Sequence, residues 1–521
     1  MTGHWVAPLA ELGIGAALEA LRAEGLAGAP MMQPLDAERM RQRAARFPQA
    51  RRALLVEVLR EQVGPSPSPE QLALLDRLAQ PDSVTVVAGH QLVTALGPLY
   101  VHAKVAETEA LAAFWTAQGV PTVPVFWMAT EDHDLDEIRR IFWRGTAVGA
   151  WAPPVGAYRS GVVDAQPVAD ALEAWVRSAA VPEPVRMAAE RSIEAYRGSA
   201  NLTEATRRLM AHYHPGVLVL DASDARLKAA AAELWADEIQ NQTLYGTAEV
   251  AALPWKGRDL PVPMRPSALF ALDAQGRRSR LDRHEDGTWT SADGRTWGSD
   301  ADVAAWAADH PEQVSPNALL RPVYQEFILP NAAYTGGAGE LAYAYQLVPY
   351  WKNSGRDHGV WRLRHSGMWV PAAADKARAA FADQNFGGTW NPKTLRDQIL
   401  QSSGAPDPAR RPVLDVISDL VRRTYAQPGL EASAEAWLHR IEREEARMVE
   451  RLRREAGHRE AVALRRLDLL AQTLLPSGTL QERIWTHFDL VEHGGPIAVE
   501  AYVEAYLRQP HWDAPGWWEF R

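Results

Sequence analysis

Apolar runs of strand length alternate with helical patterns through the first half of the chain. Three such runs are Val84–Ala88, Val123–Met128 and Val217–Leu220. A continuous apolar run of this length is typical of a strand that is buried on both faces. Helical patterns lie between them, from Gly97 to about Gln118 and again from Asn201. This alternation predicts an open α/β sheet with parallel crossovers.

Other segments flank the predicted sheet. Residues 1–80 have helical spacing that is broken by proline and glycine. Asp286-Gly287 and Asp293-Gly294 are hairpin-type dipeptides, and they predict a small β insertion. We interpret Glu326–Leu329 as a strand that returns to the sheet and Val360–Leu363 as its last strand.

Residues from Pro371 onward are mainly helical in pattern, and Ala434–Leu475 is the longest proline-free part. Apolar residues from Leu438 to Leu474 recur there at spacings of three and four, with Gly457 as a weak point. This pattern predicts a coiled coil or a long antiparallel helix pair. Because so long an apolar stripe is unfavourable in a monomer, we expect a homodimer formed through this segment.

Composition narrows the protein class. Of the 521 residues, 47% are apolar and 23% are charged, which excludes a mainly disordered chain. The net charge is −10 and no isolated basic block is present, so we expect no nucleic-acid partner. The chain has no cysteine, which excludes disulfides, thiolate metal sites and a cysteine nucleophile.

We see neither a secretory signal in residues 1–30 nor an apolar stretch of the roughly 18 residues that a membrane span needs. We therefore expect a cytoplasmic protein without a membrane partner.

Polar residues follow each of the predicted strands. Gly89-His90-Gln91 follows the first strand, Glu131-Asp132-His133-Asp134 the second, and Asp221 the third. In an open α/β sheet, ligands bind outside the carboxyl ends of the strands, so these residues are candidates for one site. The alternative is that they are helix caps and turn residues.

The cluster Glu131-Asp132-His133-Asp134 has three interpretations: a metal site, a general acid/base pair, or a cradle for a substrate amine. No zinc spacing such as H-E-x-x-H is present, so a metal site is the weakest of the three and we assign no metal. A carboxylate beside a histidine orients the ring and raises its basicity. We therefore take these four residues as the catalytic candidates.

The helix after the first strand opens at Gly97-Pro98, close to Gly89-His90-Gln91. Such an arrangement is similar to an anion site at a helix N-terminus. Lys104 lies about two turns into this helix, where it either faces the site or is a solvated surface lysine. Neither G-x-G-x-x-G nor the P-loop motif is present, which excludes P-loop binding of ATP.

A denser group of polar and glycine residues lies between positions 321 and 340. Its members are Arg321, Tyr324, Gln325, Glu326, Asn331, Tyr334, Gly336, Gly337, Gly339 and Glu340. The glycines allow backbone N–H groups to face a bound anion. Arg321 and Glu326 could hold a zwitterion such as an amino acid. The alternative is a tight turn held by an Arg–Glu pair.

Taken together, these segments resemble the cysteine-adding enzymes (cysteine ligases) of bacillithiol biosynthesis. The segments that carry the resemblance are Gly89-x-Gln91, Gly97-Pro98-Leu99-Tyr100 with Lys104, Pro124-Val125-Phe126-Trp127, Glu131-Asp132-His133-Asp134, Leu320-Arg321-Pro322, Tyr324-Gln325-Glu326, Leu329-Pro330-Asn331, Tyr334-x-Gly336-Gly337, Gly339-Glu340, Gln346-Leu347 and Gln481-Glu482-Arg483. Arg364, in a partial match to an Arg-x-Ser motif, joins the binding candidates. His90, Ala344 and Val348 depart from the family pattern, in which Gln, Trp and Lys are expected.

The resemblance implies a Rossmann-like core with insertions and a helical coiled-coil region that forms dimers. It implies a ligase that forms an amide (carbon–nitrogen) bond by adding cysteine to glucosaminyl-malate, in the last step of bacillithiol biosynthesis. Activation of the cysteine carboxylate implies a nucleotide, ATP or ADP. His133 or a neighbouring carboxylate would then be the general base for the amine. The alternatives are a nucleotidyltransferase-like enzyme and a non-enzymatic coiled-coil interaction protein.

With this resemblance, the chain divides into six predicted segments. They are an N-terminal helical part of the core (1–82), the Rossmann-like core (83–260), a small β insertion (261–310), a second motif region of the core (311–370), a helical coiled-coil dimerisation region (371–476) and C-terminal helices that return to the core (477–521).

Overall fold

The computed structural model describes residues 35–257, 259–381, 392–410, 412–425, 427, 429–507 and 517–520. The predictions made for residues 1–34 lie outside the described residues. The chain divides into two compact units. The first contains the described residues up to Trp369 and those from Gln481 to Phe520, and the second is Val370–Leu480.

A five-stranded parallel sheet forms the centre of the first unit. Its strands are β1 (Val84–His90), β2 (Thr122–Met128), β3 (Leu218–Asp221), β4 (Asn331–Gly336) and β5 (Val360–Leu363). Their spatial order is β5-β4-β1-β2-β3, and every neighbouring pair is parallel. The chain moves from β1 to β2 and β3 on one side and then crosses to β4 on the other. The strand order therefore reverses between β1 and β4, which is where ligands bind in folds of this class.

The central strands follow the sequence prediction closely. β2 is buried at every position, and β1 at every position except His90, in agreement with their continuous apolar runs. Helix α1 (Leu99–Ala117) connects β1 to β2 and is almost entirely buried over its first 14 residues. The predicted return strand Glu326–Leu329 is wrong, because Glu326 to Ile328 form the last turn of helix α2 (Leu320–Ile328). Short apolar runs of this kind fit a buried helix as well as a strand.

Helix α3 (Ala338–Gln346) follows β4 directly. The β insertion is an antiparallel sheet whose strands, in spatial order, are Val314–Pro316, Leu269–Leu272, Arg278–Arg283, Thr288–Ser291 and Thr296–Ser299. Gly287 and Gly294 occupy its two predicted hairpin turns with φ of +81° and +87°, a backbone region that favours glycine. The sheet of this insertion also includes Val314–Pro316, which lies beyond the predicted segment 261–310.

The remaining elements of the first unit are short strands and helices around the sheet. The strands are Arg140–Trp143 paired with Thr146–Ala150, and Ser366–Trp369 paired with Trp517–Phe520. The helices are Ala37–Arg46, Gln49–Val63, Pro69–Ala79, Leu135–Ile138, Gln166–Ser178, Glu183–Arg197, Leu202–Tyr213, Ala225–Ala230, Ala232–Asn241, Ala248–Ala252, Asp300–Asp309, Val348–Ser354, His487–Gly494 and Ala498–Leu507. Within the described residues, no helix has both the length and the apolar character that a membrane crossing requires.

The second unit is helical. Its helices are Ala372–Ala379, Pro392–Ser402, α4 (Pro412–Tyr425), α5 (Glu431–Arg459) and α6 (Ala461–Leu474). The predicted long helical segment is therefore two helices, and the break falls at Glu460 rather than at Gly457. Gly457 stays within α5, where the helical hydrogen bonds outweigh the weak helix propensity of one glycine.

Candidate functional site

A cavity of about 860 Å³ opens at the carboxyl ends of the central strands, where the strand order reverses. Its size is that of sites which bind small molecules. It gathers many of the predicted residues from both motif regions. These are Gly89, His90, Gln91, Lys104, Glu131, Asp132, Arg321, Tyr334, Gly337, Gly339, Glu340 and Arg364.

Lys104 and Glu340 form a buried ion pair in this cavity. Lys104 Nζ also donates to the carbonyl oxygen of Gly89 at 3.2 Å. The ammonium is only 4% exposed, so the interpretation of Lys104 as a solvated surface lysine is wrong. Burial lowers the pKa of Lys104, and the facing Glu340 carboxylate opposes that shift.

The Glu340 carboxylate occupies the glycine-rich turn that was predicted to hold an anion. Its Oε1 accepts from Tyr334 Oη at 2.5 Å, and its Oε2 accepts from the backbone N–H of Gly337 at 2.8 Å. Burial would raise the pKa of Glu340, but Lys104 and these hydrogen bonds lower it to about 2. The chain's own carboxylate thus stabilises the N-terminus of α3.

Two carboxylates that follow β2 line the same cavity. Glu131 Oε2 accepts from Lys228 Nζ at 2.8 Å, while Glu131 Oε1 has no hydrogen-bond partner among the described residues. Asp132 Oδ2 accepts from the side-chain amide of Gln91 at 2.7 Å, and the same amide donates to Glu137 at 2.8 Å. Glu131 thus keeps one buried carboxylate oxygen without a partner, and Gln91 holds Asp132 in place.

Arg278 and Arg321 line the cavity without a carboxylate partner within the part of the chain that the structure describes. Arg321 donates to Gln325 Oε1 at 3.1 Å and to Tyr343 Oη at 3.2 Å. Arg278 donates to Ser315 Oγ, to the Pro316 carbonyl and to a ring nitrogen of His133. Arg364 differs, because Glu482 accepts hydrogen bonds from both of its terminal nitrogens at 2.8 and 2.6 Å. Of these three guanidinium groups, those of Arg278 and Arg321 are thus held by neutral partners.

His90 lines the cavity in its neutral form. Its Nδ1 lies 3.1 Å from the Gln91 carbonyl oxygen, which can only accept, so Nδ1 carries the proton. Nε2 then accepts from Tyr100 Oη at 3.0 Å. Burial and, next, the charge of Lys104 lower the pKa of His90 to about 4.

Comparison with known families gives a decisive match. The N-terminal Rossmann-like domain of bacillithiol biosynthesis BshC matches residues 31–365, and the C-terminal coiled-coil domain of the same family matches residues 418–509. The chain belongs to the bacillithiol biosynthesis BshC family. This confirms the predicted family and the predicted fold class.

Relatives in this family are named "Putative cysteine ligase BshC". The chain is 28% identical to the one from Solibacter usitatus over 516 residues, and the alignment covers 90% of each chain. It is 28% identical to that from Koribacter versatilis over 491 residues, covering 87% of each. With that of Cytophaga hutchinsonii it shares 31% over 321 residues, which is 57% of this chain and 55% of the relative. The chain thus spans little more than half of the length of the Cytophaga protein.

Two of the four catalytic candidates from the BshC-like acidic cluster do not line the cavity. Asp134 is exposed, and His133 lies beside the cavity with its ring against Phe270 and its Nδ1 at 3.1 Å from Arg278. Adjacent residues on one loop point in different directions, so only Glu131 and Asp132 face the space. Among the described residues, no group of three or more His, Asp or Glu side chains could hold a metal ion.

Several other candidates hold the framework of the site rather than lining it. The buried Glu326 accepts from Asn331 Nδ2 at 2.6 Å and from the backbone of Gly359 at 2.8 Å. Tyr324 Oη donates to the Ala222 carbonyl at 2.8 Å, and Thr130 Oγ1 donates to Asp221 at 2.6 Å.

Three further predicted positions are also structural. Gln325 accepts the hydrogen bond from Arg321 described above. Gly97 has a φ of +51°, and a Cβ there would lie 2.7 Å from the side chain of Val93. A Cβ on Gly336 would lie 3.0 Å from the ring of Tyr334. Ala344 and Val348, which depart from the family pattern, are buried away from the cavity.

Six residues that line the site were not among the predicted site residues, although Tyr100, Trp127 and Arg483 stand in segments that carry the family resemblance. They are Tyr100, Trp127, Glu137, Arg278, Tyr343 and Arg483. Tyr343 follows Glu340 by three positions, so helical spacing places both on one face of α3 and could have identified it. Arg278 enters from the β insertion, and nothing in the local sequence indicates that it reaches the ends of β1 and β2.

Proposed function

We propose that the protein is a cysteine ligase that joins the carboxylate of L-cysteine to the amine of glucosaminyl-malate, the last step of bacillithiol biosynthesis. One observation carries this proposal. A single cavity is lined by Glu131, one carboxylate oxygen of which is buried without a partner, and by two guanidinium groups, Arg278 and Arg321, without carboxylate partners among the described residues. A sugar amine and substrate carboxylates are the complementary groups. Membership of the BshC family agrees with this chemistry.

The reaction needs an activated carboxylate. A carboxylate oxygen of cysteine attacks a phosphorus of ATP and displaces ADP or pyrophosphate. The amine nitrogen of glucosaminyl-malate then attacks the activated carbonyl carbon, the phosphate or AMP leaves, and the amide forms. The amine must lose a proton in this step, so a base near the attacking nitrogen accelerates it.

Glu131 is the residue that we assign to this proton. Glu131 lines the cavity, its buried Oε1 has no hydrogen-bond partner among the described residues, and its Oε2 is fixed by the buried Lys228. Asp132, held by Gln91, provides a second negative charge that attracts the ammonium form of the substrate before it loses its proton. His90 is neutral and both of its ring nitrogens already have partners in Gln91 and Tyr100, so we assign it to orienting Tyr100 rather than to binding the substrate.

The cationic residues fit a nucleotide as well as a carboxylate. Phosphate oxygens and carboxylates both accept bidentate hydrogen bonds from arginine. The glycine-rich turn fits less well, because Glu340 already occupies the N–H of Gly337 and neutralises Lys104. We therefore propose that ATP is the co-substrate and that its phosphates do not bind at this turn.

We also propose that the protein is a homodimer formed through its helical unit. Helices α4 and α5 expose large apolar side chains, among them Val416, Leu420, Met448 and Leu452, which are 73%, 62%, 55% and 44% exposed. Exposed apolar area of this extent on neighbouring helices favours association with a second copy.

A test in cells separates this proposal from its alternatives. The host is a bacillithiol-producing bacterium from which the gene for this step has been deleted. In these cells the wild-type chain should restore bacillithiol. Cells that carry the Glu131→Gln/Asp132→Asn double variant should instead accumulate glucosaminyl-malate. A non-enzymatic interaction protein would keep its function in that variant. A nucleotidyltransferase would release pyrophosphate from ATP without consuming glucosaminyl-malate.

A further inference from the structure

Arg278 is a cavity residue that belongs to the β insertion rather than to the Rossmann-like core. Four neighbours fix its guanidinium. It donates to Ser315 Oγ at 3.0 Å, to the Pro316 carbonyl at 2.6 Å and to His133 Nδ1, and its Cζ lies 3.9 Å from the centroid of the Phe270 ring. None of these neighbours is a carboxylate, so the guanidinium is oriented without an ion pair, and the charges of Glu131 and Asp132 act on it from a longer distance.

The donor inventory shows what Arg278 can still bind. A guanidinium has five N–H donors, and the three contacts above use Nε, one hydrogen of Nη1 and one of Nη2. One donor remains on each terminal nitrogen. Two such donors are the pair that holds a planar oxyanion in bidentate fashion.

Arg321 supplies a second guanidinium that lines the same cavity and has no ion-pair partner among the described residues, although the Glu340 charge acts on it. Arg278 is bonded to Ser315 and Pro316, and helix α2, which carries Arg321, begins four residues later at Leu320. Both arginines line the cavity, with Asn317 and Ala318 between them in sequence. Two oriented guanidinium groups that line one cavity without ion-pair partners among the described residues favour the binding of an anionic ligand.

His133 is one of the four neighbours that orient the Arg278 side chain. Because arginine can only donate, His133 Nδ1 must accept, so the ring is neutral and its proton is on Nε2. The His133 ring also packs against Phe270, the same ring that lies under Arg278. With Nδ1 already accepting from arginine, His133 is in place to orient Arg278 and has no cavity-facing position from which to take a substrate proton.

We propose that Arg278, positioned by His133, acts with Arg321 as the binding site for the two carboxylates of the malate moiety of glucosaminyl-malate. The site rests on the proposed function for the identity of its ligand. The carboxylate of cysteine and the phosphates of ATP have the same oxyanion chemistry, so binding measurements must compare all three compounds. His133 is a positioning residue in this proposal.

Isothermal titration calorimetry on the full chain tests the site. Glucosaminyl-malate, L-malate, cysteine and ATP are titrated separately into the wild type, Arg278→Ala, Arg278→Lys and Arg277→Ala. Arg277 is the matched control, because it is the preceding residue, is exposed, and donates to Tyr158. We expect Arg278→Ala to weaken the binding of glucosaminyl-malate about 30-fold or more and Arg278→Lys to weaken it less. Arg277→Ala should change this affinity less than about twofold.

The outcomes separate this proposal from the proposed function. If Arg278→Ala and Arg278→Lys both bind glucosaminyl-malate like the wild type, the site is overturned and the ligase proposal stands. If the Arg278 variants bind only ATP or only cysteine more weakly than the wild type does, the malate assignment is overturned. If the wild type binds L-malate in an Arg278-dependent manner but not glucosaminyl-malate, the site stands and the proposed substrate fails. Absence of Arg278-dependent binding of every compound overturns the site.

His133 variants test its positioning role. Gln can accept from Arg278 as His133 does, whereas Leu cannot. We expect His133→Leu to raise the KM for glucosaminyl-malate about tenfold with little change in kcat, and His133→Gln to restore most of the affinity. A fall in kcat in both variants with KM unchanged would show that His133 acts in proton transfer and would overturn this role.

Discussion

The ion pair between Lys104 and Glu340 joins the helices that follow β1 and β4, the two strands between which the strand order reverses. Lys104 also contacts the end of β1 through the Gly89 carbonyl, and Glu340 contacts the end of β4 through Tyr334. A single pair of charges therefore links both strands, both helices and the glycine-rich turn at the floor of the cavity.

Loss of Glu340 should destabilise the protein. Glu340→Gln leaves the Lys104 ammonium buried without its charged partner, which typically costs about 3–5 kcal/mol of the free energy of unfolding. The double variant Lys104→Met/Glu340→Gln removes both charges and should recover much of that loss. Chemical denaturation at pH 7 measures the free energy of unfolding of the single variant, the double variant and the wild type. Equal stability of Glu340→Gln and the wild type would contradict a stabilising pair.

The same pair predicts an acid dependence. The folded pKa of Glu340, about 2, lies below the ordinary value of 4.5, so its contribution to stability is fully present above pH 4.5 and is lost as the pH falls towards 2. The difference in stability between the wild type and Glu340→Gln should therefore shrink over that range. A difference that stays constant from pH 5 to pH 3 would show that the Glu340 pKa is not lowered.

Glu131→Gln should reduce kcat about 10²- to 10⁴-fold, since it removes the proposed proton acceptor while keeping the shape of the side chain. Steady-state kinetics with saturating cysteine, glucosaminyl-malate and ATP measures this. Asp134→Asn is the matched control, because Asp134 lies on the same loop and is exposed. Wild-type kcat in Glu131→Gln, with folding unchanged, would rule out Glu131 as the base.

The sequence was sufficient for the parts of this account that depend on local pattern. The strands β1 and β2 and the hairpins at Gly287 and Gly294 were predicted because burial and turn chemistry leave clear local signals. Glu326 was misassigned to a strand because a short buried segment gives the same apolar signal in a helix. Arg278 was missed because its place in the site depends on how the insertion packs, which no local pattern encodes.

In the acidic cluster Glu131-Asp132-His133-Asp134, too, the sequence predicts some features and leaves others open. Its place after β2 was predictable, because ligand sites follow strand ends. Which of its side chains face the cavity was not, since His133 and Asp132 are adjacent and differ only in the direction that the loop gives them.

His487 predicts a second dependence on pH. It is fully buried, neither ring nitrogen has a hydrogen-bond partner among the described residues, and its ring lies against His102 and Tyr213. Burial and, next, His212 and Arg191 lower its pKa from 6.5 to about 3. The unfolded state thus binds the proton more readily between pH 6.5 and 3, and stability falls as the pH falls through that range.

His487→Leu should remove this dependence. We expect the variant to gain about 2 kcal/mol relative to the wild type on going from pH 7 to pH 5, measured by urea denaturation at both values. His284→Leu is the control, because His284 is exposed. If both variants show the pH dependence of the wild type, His487 is not held neutral by burial.

Met448→Glu/Leu452→Glu should convert the proposed dimer to a monomer. Two charges on the exposed apolar face of α5 would have to be buried in the interface, at a cost that association cannot offset. Light scattering at micromolar concentration measures the mass of the full chain. Arg454→Ala, at an exposed position of the same helix, should remain dimeric. A monomeric wild type would refute the dimer.

Mass spectrometry of the product tests the proposed ligase activity most directly. The purified wild-type chain is mixed with cysteine, glucosaminyl-malate and ATP, and each compound is omitted in turn. We predict bacillithiol in the complete mixture only, with consumption of glucosaminyl-malate and ATP, and at least 100-fold less product with Glu131→Gln. A folded wild type that binds glucosaminyl-malate and yet forms no bacillithiol would contradict it.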